Sequence, residues 1–260
     1  MEFMKNCKKL IDELDLVLFE PIPSQTSEGD RRSLLAIHSA IANRHQVFTY
    51  LEIGSHLGGS IQPYLRDNRC KKIFSIDPRP QQQPDDRFPG YKSIYKDNSS
   101  ERMLSLLKNA KIGDVKKIEC IDSDASKIES NRIIPKPLIL FIDGEHTKEA
   151  VISDYNFCLK VMSKSGTIIF HDYYIIYPAI IEILRSLRKQ KQKHVALKLE
   201  CNVFAIFFDK NIVLGSPYLK SLFTKNRFLT ERLMIYNLIK DFFPNNILMV
   251  ARALRNTLTR

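Results

Sequence analysis

Hydrophobic positions recur at helical spacing over the first part of the chain and then, from residue 47, gather into short apolar runs that alternate with amphipathic stretches. Leu10, Ile11, Leu14, Val17 and Leu18 predict a helix over about residues 5–19 that stops before Pro21 and Pro23. Leu34, Leu35, Ile37, His38 and Ile41 predict a second helix over about residues 31–43. Ser27 and Asp30 are its candidate N-caps, and His38 is expected at a packing boundary on its better face. Apolar, β-branched runs predict strands at 47–53, 71–77, 116–121, 138–142 and 167–170. Helices are expected between them, from the turn after Ile53 to about residue 67 and then at 101–110, 148–162 and 178–188. Residues 78–100, with Pro78, Pro80, Pro84 and Pro89, read as a long irregular connection with room to line a pocket. Two last strands, 195–199 and 203–208, have three residues between them and must form a hairpin, so one closing strand runs antiparallel to the rest. The expected fold is a seven-stranded, mostly parallel α/β sheet with helices on both faces. It divides the chain into an N-terminal helical cap (1–46), a sheet domain (47–215) and a C-terminal helical extension (216–260).

Polar residues mark the C-terminal ends of these strands. The first ends in Glu52-Ile53-Gly54-Ser55-His56-Leu57-Gly58-Gly59-Ser60, three glycines within six residues after a strand, where a ligand can approach the main chain closely. The spacing Glu-x-Gly-x-x-x-Gly is not that of a dinucleotide fingerprint. An acid just before the first glycine would repel a pyrophosphate but suits a ligand carrying an ammonium or sulfonium charge; a plain structural turn is the other reading. Asp77, 25 positions after Glu52, stands where the acid of a nucleoside-binding unit meets ribose hydroxyls, or is a solvated strand end. Asp122-Ser123-Asp124-Ala125 reads equally as a ligand contact or as a loop with a helix cap. The two buried strands that follow end in Asp143-Gly144-Glu145-His146 and His171-Asp172-Tyr173-Tyr174, which puts acids and histidines at one sheet edge.

Composition changes the picture in two places. The cysteines (Cys7, Cys70, Cys120, Cys158, Cys201) are odd in number, widely scattered and without CxxC spacing, so neither a disulfide framework nor a zinc site is indicated, and a reducing compartment fits best. The net charge of +11 favours acidic partners: nucleic acid, anionic lipid or a phosphorylated glycan. Asp12, Glu13 and Asp15 interrupt the only apolar run near the N-terminus, so no signal peptide is read, and no stretch approaches the ~20 apolar residues of a membrane span.

Taken together, Leu51-Glu52-Ile53-Gly54-Ser55 with Gly58-Gly59-Ser60, Ile76-Asp77, Phe141 to His146 and Gly166 to Tyr173 resemble the class I, Rossmann-like methyltransferases that use S-adenosylmethionine (SAM). Within these, the chain resembles the sugar and small-molecule O-methyltransferases of the macrolide-sugar and cephamycin-pathway type, over about residues 47–210. The resemblance implies that Glu52, Gly54 and Ser55, with Ser60, border the methionine part of SAM, that Asp77 holds the ribose, and that Asp124 and Ala125 lie near the adenine. It implies a divalent metal, Mg²⁺ or Mn²⁺, on Asp143, His171 and Asp172, and His146 as the general base beside Asp143, with loop capping as the alternative for His146. His171 departs from the acid expected at its position and shifts the preference toward softer ions. The implied activity is O-methylation of a sugar or glycan hydroxyl, in a surface polysaccharide among others. RNA ribose methylation and a SAM-fold binding protein without chemistry are the rival readings. The absence of an Asn/Asp-Pro-Pro-Tyr/Phe motif after the fourth strand argues against base N-methylation.

Residues 216–260 carry eight basic residues against two acids, a net +6. Apolar spacing at Leu229, Leu233, Tyr236, Ile239 and Phe243, and again at Ile247, Val250, Ala251, Leu254 and Leu258, predicts two amphipathic helices parted near Pro244. They are expected to pack on the domain or on a second copy in a homo-oligomer, or to rest on an anionic membrane surface. The protein is expected in the cytoplasm, free or peripheral at the inner face of the membrane.

Overall fold

The computed structural model describes residues 2–226. Helices α1 (Glu2–Asp12) and α2 (Glu28–His45) precede strand β1 (Phe48–Ile53), helix α3 (Gln62–Arg66) and strand β2 (Cys70–Ile76). A small hairpin of β3 (Gln82–Pro84) and β4 (Lys92–Ile94) follows, then α4 (Ser100–Ala110), β5 (Ile118–Ile121), β6 (Ile139–Ile142), α5 (Lys148–Val161) and β7 (Thr167–Phe170). The described chain closes with α6 (Tyr173–Lys189), β8 (Val195–Lys198), β9 (Phe204–Phe207), α7 (Lys210–Gly215) and α8 (Pro217–Lys225). The expected helices beyond residue 228 lie outside the described residues.

Seven strands form one sheet in the order β5-β2-β1-β6-β7-β9-β8. The pairs β1–β2, β2–β5, β1–β6 and β6–β7 are parallel, and β9 runs antiparallel to both β7 and β8. Strands β1, β6, β7 and β9 are buried at every position, as runs such as Leu140-Phe141-Ile142 require when helices cover both faces. One apolar cluster joins Leu34, Ile37 and Ile41 of α2 and Leu107 of α4 to Tyr50, Ile73 and Ile139 of the sheet. The other joins Val151, Tyr155 and Cys158 of α5 and Ile180, Ile183 and Leu187 of α6 to Leu51, Leu140 and Ile168. Strand order reverses at β1, whose neighbours are β2 on one side and β6 on the other, so the loops leaving β1 and β6 open a crevice at the C-terminal edge.

Several elements differ from expectation for local reasons. The first helix ends at Asp12, where Leu14 takes a positive φ of 57° and Asp15 caps a separate 3-10 turn over Leu16–Phe19. Ser27 is the N-cap of α2, and Asp30 is its capping-box partner three residues on: each side chain bonds the other's backbone N–H. Helix α6 begins at Tyr173, five residues before Pro178, which lies inside it. Residues 78–100 are not wholly irregular, because β3 and β4 pair antiparallel with Gln82 opposite Ile94.

His38 is fully buried rather than at a boundary. Its ring stacks on Tyr64 with centroids 4.5 Å apart, and its Nε2 lies 2.8 Å from Asp67 Oδ2, which Arg69 Nη2 meets at 2.9 Å. Burial pushes the Asp67 carboxyl up, but the hydrogen bonds from His38 and Arg69 outweigh it and hold it well below the usual range. A depressed carboxylate stabilises the fold above its unfolded value of about 4 and loses that contribution as pH falls below it. Asp67→Ala, which strands the partners of a buried pair, is expected to cost about 3 kcal/mol in urea unfolding at pH 7. The difference from wild type should shrink toward pH 3; a difference that does not change with pH would contradict an ionised Asp67.

Candidate functional site

The crevice is a cavity of about 430 Å³, within the usual range for a small-molecule site. Three parts of the chain wall it. The loop after β1 supplies Gly54, Ser55, His56, Gly59 and Ser60, and the ends of β2, β6 and β7 supply Asp77, Asp143, His146, His171 and Asp172. The segment leading into α2 adds Ser24, Gln25, Ser27 and Asp30, while the β3–β4 hairpin and its flank add Gln83, Arg87, Tyr91, Ser93 and Tyr95.

Gly54 sits at φ +89°, and a Cβ there would stand 2.1 Å from the Asp143 carbonyl oxygen. Only a residue without a side chain lets the β1 and β6 loops touch. The carboxylate of Asp77 is fixed at the mouth of the next strand: its Oδ2 accepts from the His56 N–H at 3.0 Å and its Oδ1 from the Arg79 N–H at 2.8 Å. Oδ1 keeps a second lone pair for a ligand hydroxyl, while the Arg79 guanidinium lies 3.5 Å from Oδ2. The bare backbone at Gly54 and this anchored carboxylate both face the cavity.

Glu52 is placed otherwise. It is fully buried beneath the loop and does not line the cavity, its oxygens accepting from Ser60 Oγ at 2.5 Å and Tyr50 Oη at 2.7 Å. Burial pushes its carboxyl up to about 8, so it braces the turn as a hydrogen-bonded acid rather than facing a sulfonium as a charge. Ser55 and Ser60 both reach the cavity wall. Asp124 pairs with Lys127 near the surface and Ala125 packs under α5; neither shares the cavity with the other candidates.

At the floor, acids and imidazoles alternate. His146 Nε2 lies 3.2 Å from Asp172 Oδ2 and 3.7 Å from Asp143 Oδ1, and His171 Nδ1 lies 3.0 Å from Asp143 Oδ1 and 3.6 Å from Asp172 Oδ2. Each ring is held on its far side by a further buried acid, His146 Nδ1 by Asp85 at 3.0 Å and His171 Nε2 by Asp30 at 3.3 Å. Burial pushes the Asp143 carboxyl up, yet the facing His171 and His146 bring it down to about 2. Burial pushes both imidazoles down, and the surrounding carboxylates more than reverse this, leaving each raised. Asp172 occupies the left-handed region at φ +51° as the N-cap of α6, a conformation that costs of order 1–3 kcal/mol and collects at functional sites.

Ligand atoms of Asp143, His146 and Asp172 lie within 4.8 Å of one another, and among the described residues neither the buried His146 Nε2 nor His171 Nε2 makes a hydrogen bond, although each faces a carboxylate. Two carboxylates and an imidazole suit a divalent cation, Mn²⁺ better than Mg²⁺. The geometry thus groups His146 with Asp143 and Asp172, while His171 joins the same pair from the other side.

Two residues of the floor escaped the sequence. Asp30 was legible as a helix cap but not as a partner of His171, and Asp85 lay unmarked in the proline-rich connection, whose only signal was its capacity to line a pocket.

Residues 51–173 match the family model described as "Methyltransferase domain". An uncharacterized protein of Acanthamoeba polyphaga mimivirus is 28% identical over 150 residues, a match spanning 55% of this chain and 62% of the viral protein. Among solved structures, the O-methyltransferase NovP superposes with a TM-score of 0.57 at 16% identity, over 78% of this chain and 97% of NovP. The calicheamicin methyltransferase CalS11 gives 0.51 at 13% identity, over 79% of this chain and 91% of CalS11. MycE of the mycinamycin pathway, in complex with Mg, S-adenosylhomocysteine (SAH) and mycinamycin VI, gives 0.50 at 17%, over 75% of this chain and 53% of MycE. These likenesses carry the fold.

Gly54→Ala forces a methyl group into the Asp143 carbonyl and is expected to lower the thermal midpoint by several degrees, the effect of roughly 2 kcal/mol in a domain of this size. A midpoint equal to that of wild type would show that the two loops separate freely.

Proposed function

We propose that this chain, whose residues 51–173 match a methyltransferase-domain model, transfers the methyl group of SAM to a hydroxyl of a sugar or glycan. The observation that carries this reading is the buried His146 Nε2 at the cavity floor, without a well-aligned partner and beside the carboxylates of Asp143 and Asp172. A sugar hydroxyl is a poor nucleophile until its proton is taken, and an imidazole within reach of the acceptor is the group to take it. The walls support a polyol acceptor. Ser24, Gln25, Gln83, Ser93, Asn98 and Asn202 offer neutral hydrogen-bonding groups, and Arg87 is the one arginine or lysine among the described lining residues. The MycE complex with mycinamycin VI, Mg and SAH supports the same direction by likeness of fold.

In this reading the Gly54–Ser60 loop and Asp77 hold SAM, which supplies a methyl group on a sulfonium sulfur. The acceptor oxygen forms its bond to that methyl carbon as the carbon–sulfur bond breaks, the electron pair stays on the sulfur of SAH, and the proton goes to His146 Nε2. Asp143, His171 and Asp172 would hold a divalent ion, which when bound lowers the pKa of a coordinated hydroxyl. Asp30 keeps His171 turned toward that pair, and the excess of carboxylates over imidazoles at the floor favours cations there. The choice of imidazole matters, because an ion on His146 would consume the nitrogen that the proton needs.

The test uses labelled SAM and a panel of methyl glycosides with Mn²⁺ present. His146→Ala is expected to keep SAH and Mn²⁺ binding in calorimetry and to lose methyl transfer by about 10²–10⁴-fold. His171→Ala should weaken Mn²⁺ binding more than about tenfold. Loss of Mn²⁺ binding in His146→Ala with none in His171→Ala would exchange the two roles, and wild-type protein that binds SAH but methylates no glycoside would reject the acceptor class.

A further inference from the structure

We propose that Asp85 is a positioning residue that fixes the tautomer and orientation of His146, so that the β3–β4 hairpin both lines the acceptor side of the cavity and sets the nitrogen that meets the acceptor. The inference rests on the reading of His146 given above. Asp85 lies 61 residues before His146, in the segment where the chain leaves β3. Its side chain has no exposed surface, and its Oδ2 lies 3.0 Å from His146 Nδ1. Nδ1 makes a hydrogen bond with the Asp85 carboxylate, which can only accept, whereas Nε2 makes none with Asp172 or Asp143, 3.2 and 3.7 Å away; when the ring is neutral Nδ1 therefore keeps the hydrogen and Nε2 is the bare nitrogen. That bare nitrogen is the one aimed at Asp143, Asp172 and the cavity.

The backbone holds this pair in register. Asp85 and His146 form a parallel bridge, the Asp86 N–H donates to the His146 carbonyl at 3.3 Å, and Asp86 Oδ2 accepts from the Lys148 N–H at 2.9 Å in the first turn of α5. The hairpin is thereby clamped to the loop that carries His146. Asp85 is itself fixed: its Oδ1 accepts from the Arg87 N–H at 2.8 Å, and Ser93 Oγ donates to its Oδ2 at 3.4 Å from the opposite strand. Gln83, Arg87, Tyr91 and Ser93 of the same hairpin line the cavity. A shift of the hairpin by one acceptor contact would therefore move the carboxylate that orients His146. Holding an imidazole through its remote nitrogen from a buried carboxylate is a general means of setting ring orientation.

Long-range nitrogen–proton NMR of the imidazole side chains tests this without any ligand, His146→Ala assigning the His146 signals at a pH where the ring is neutral. Wild type is expected to show His146 with the hydrogen on Nδ1. Asp85→Asn, close to isosteric and checked for an unchanged fold by circular dichroism, should lose that preference, and Asp85→Glu should restore it in part. In the presence of SAM, Mn²⁺ and whichever methyl glycoside the wild type methylates, Asp85→Asn should lower kcat by about 10–100-fold with little change in KM for SAM. A wild-type ring with its hydrogen on Nε2, or an Asp85→Asn spectrum the same as wild type, would overturn the positioning role. Those results are independent of SAH binding and of turnover, whose absence in wild type would instead reject the methyltransferase reading.

Discussion

Gly54 has no side chain because the carbonyl of Asp143 stands where one would be, 2.1 Å from the position of a Cβ. This contact brings the end of β1 against the end of β6 at the point where strand order reverses. The rest of the site depends on it. With the loops touching, the glycine turn and the acid–imidazole floor share one cavity, which in the proposed function would set a methyl donor on one beside an acceptor over the other. The buried Glu52 underpins the turn from below through Ser60 and Tyr50, an arrangement that needs its carboxyl to hydrogen-bond rather than to carry charge.

The floor is built by segments that are not part of the sheet. Asp85 comes from the β3–β4 hairpin and Asp30 from the first turn of α2, and each holds one imidazole by the nitrogen remote from Asp143 or Asp172. Asp30 also belongs to the capping box of α2 and accepts from the Asn202 N–H at 2.7 Å, so cap, sheet and closing hairpin meet on one carboxylate. The floor holds four acids against two imidazoles, an excess of carboxylates that favours cations there.

Much of this was legible in the sequence, for physical reasons. Buried parallel strands need unbroken apolar runs, and Phe141-Ile142 and Ile169-Phe170 have them, so the acids that follow were placed at a common edge before any coordinates. Gly54 was legible because a glycine after a strand and before a helix has few other uses. Glu52 was misjudged as facing the ligand. Period-two alternation puts it on the same face as Tyr50, whose hydroxyl bonds it, and away from the cavity. The hairpin was hidden because three-residue strands such as Gln82-Gln83-Pro84 carry no alternation to read. Asp85 and Asp30 act through partners 61 and about 140 residues distant, a pairing that no local pattern encodes. The apolar spacing of the first helix hid its end at Asp12, since Leu14 breaks the helix by its backbone and not by its chemistry.

In the proposed function the crevice between the β1 and β6 loops holds SAM, with Asp77 on the ribose. Calorimetric titration with SAH tests this, comparing wild type with Asp77→Ala, which removes the carboxylate and is checked for an unchanged fold by circular dichroism. Saturable one-to-one binding by wild type, weakened more than about tenfold in Asp77→Ala, is the predicted result. Absence of binding by folded wild type, or equal affinity in the two proteins, would contradict the account.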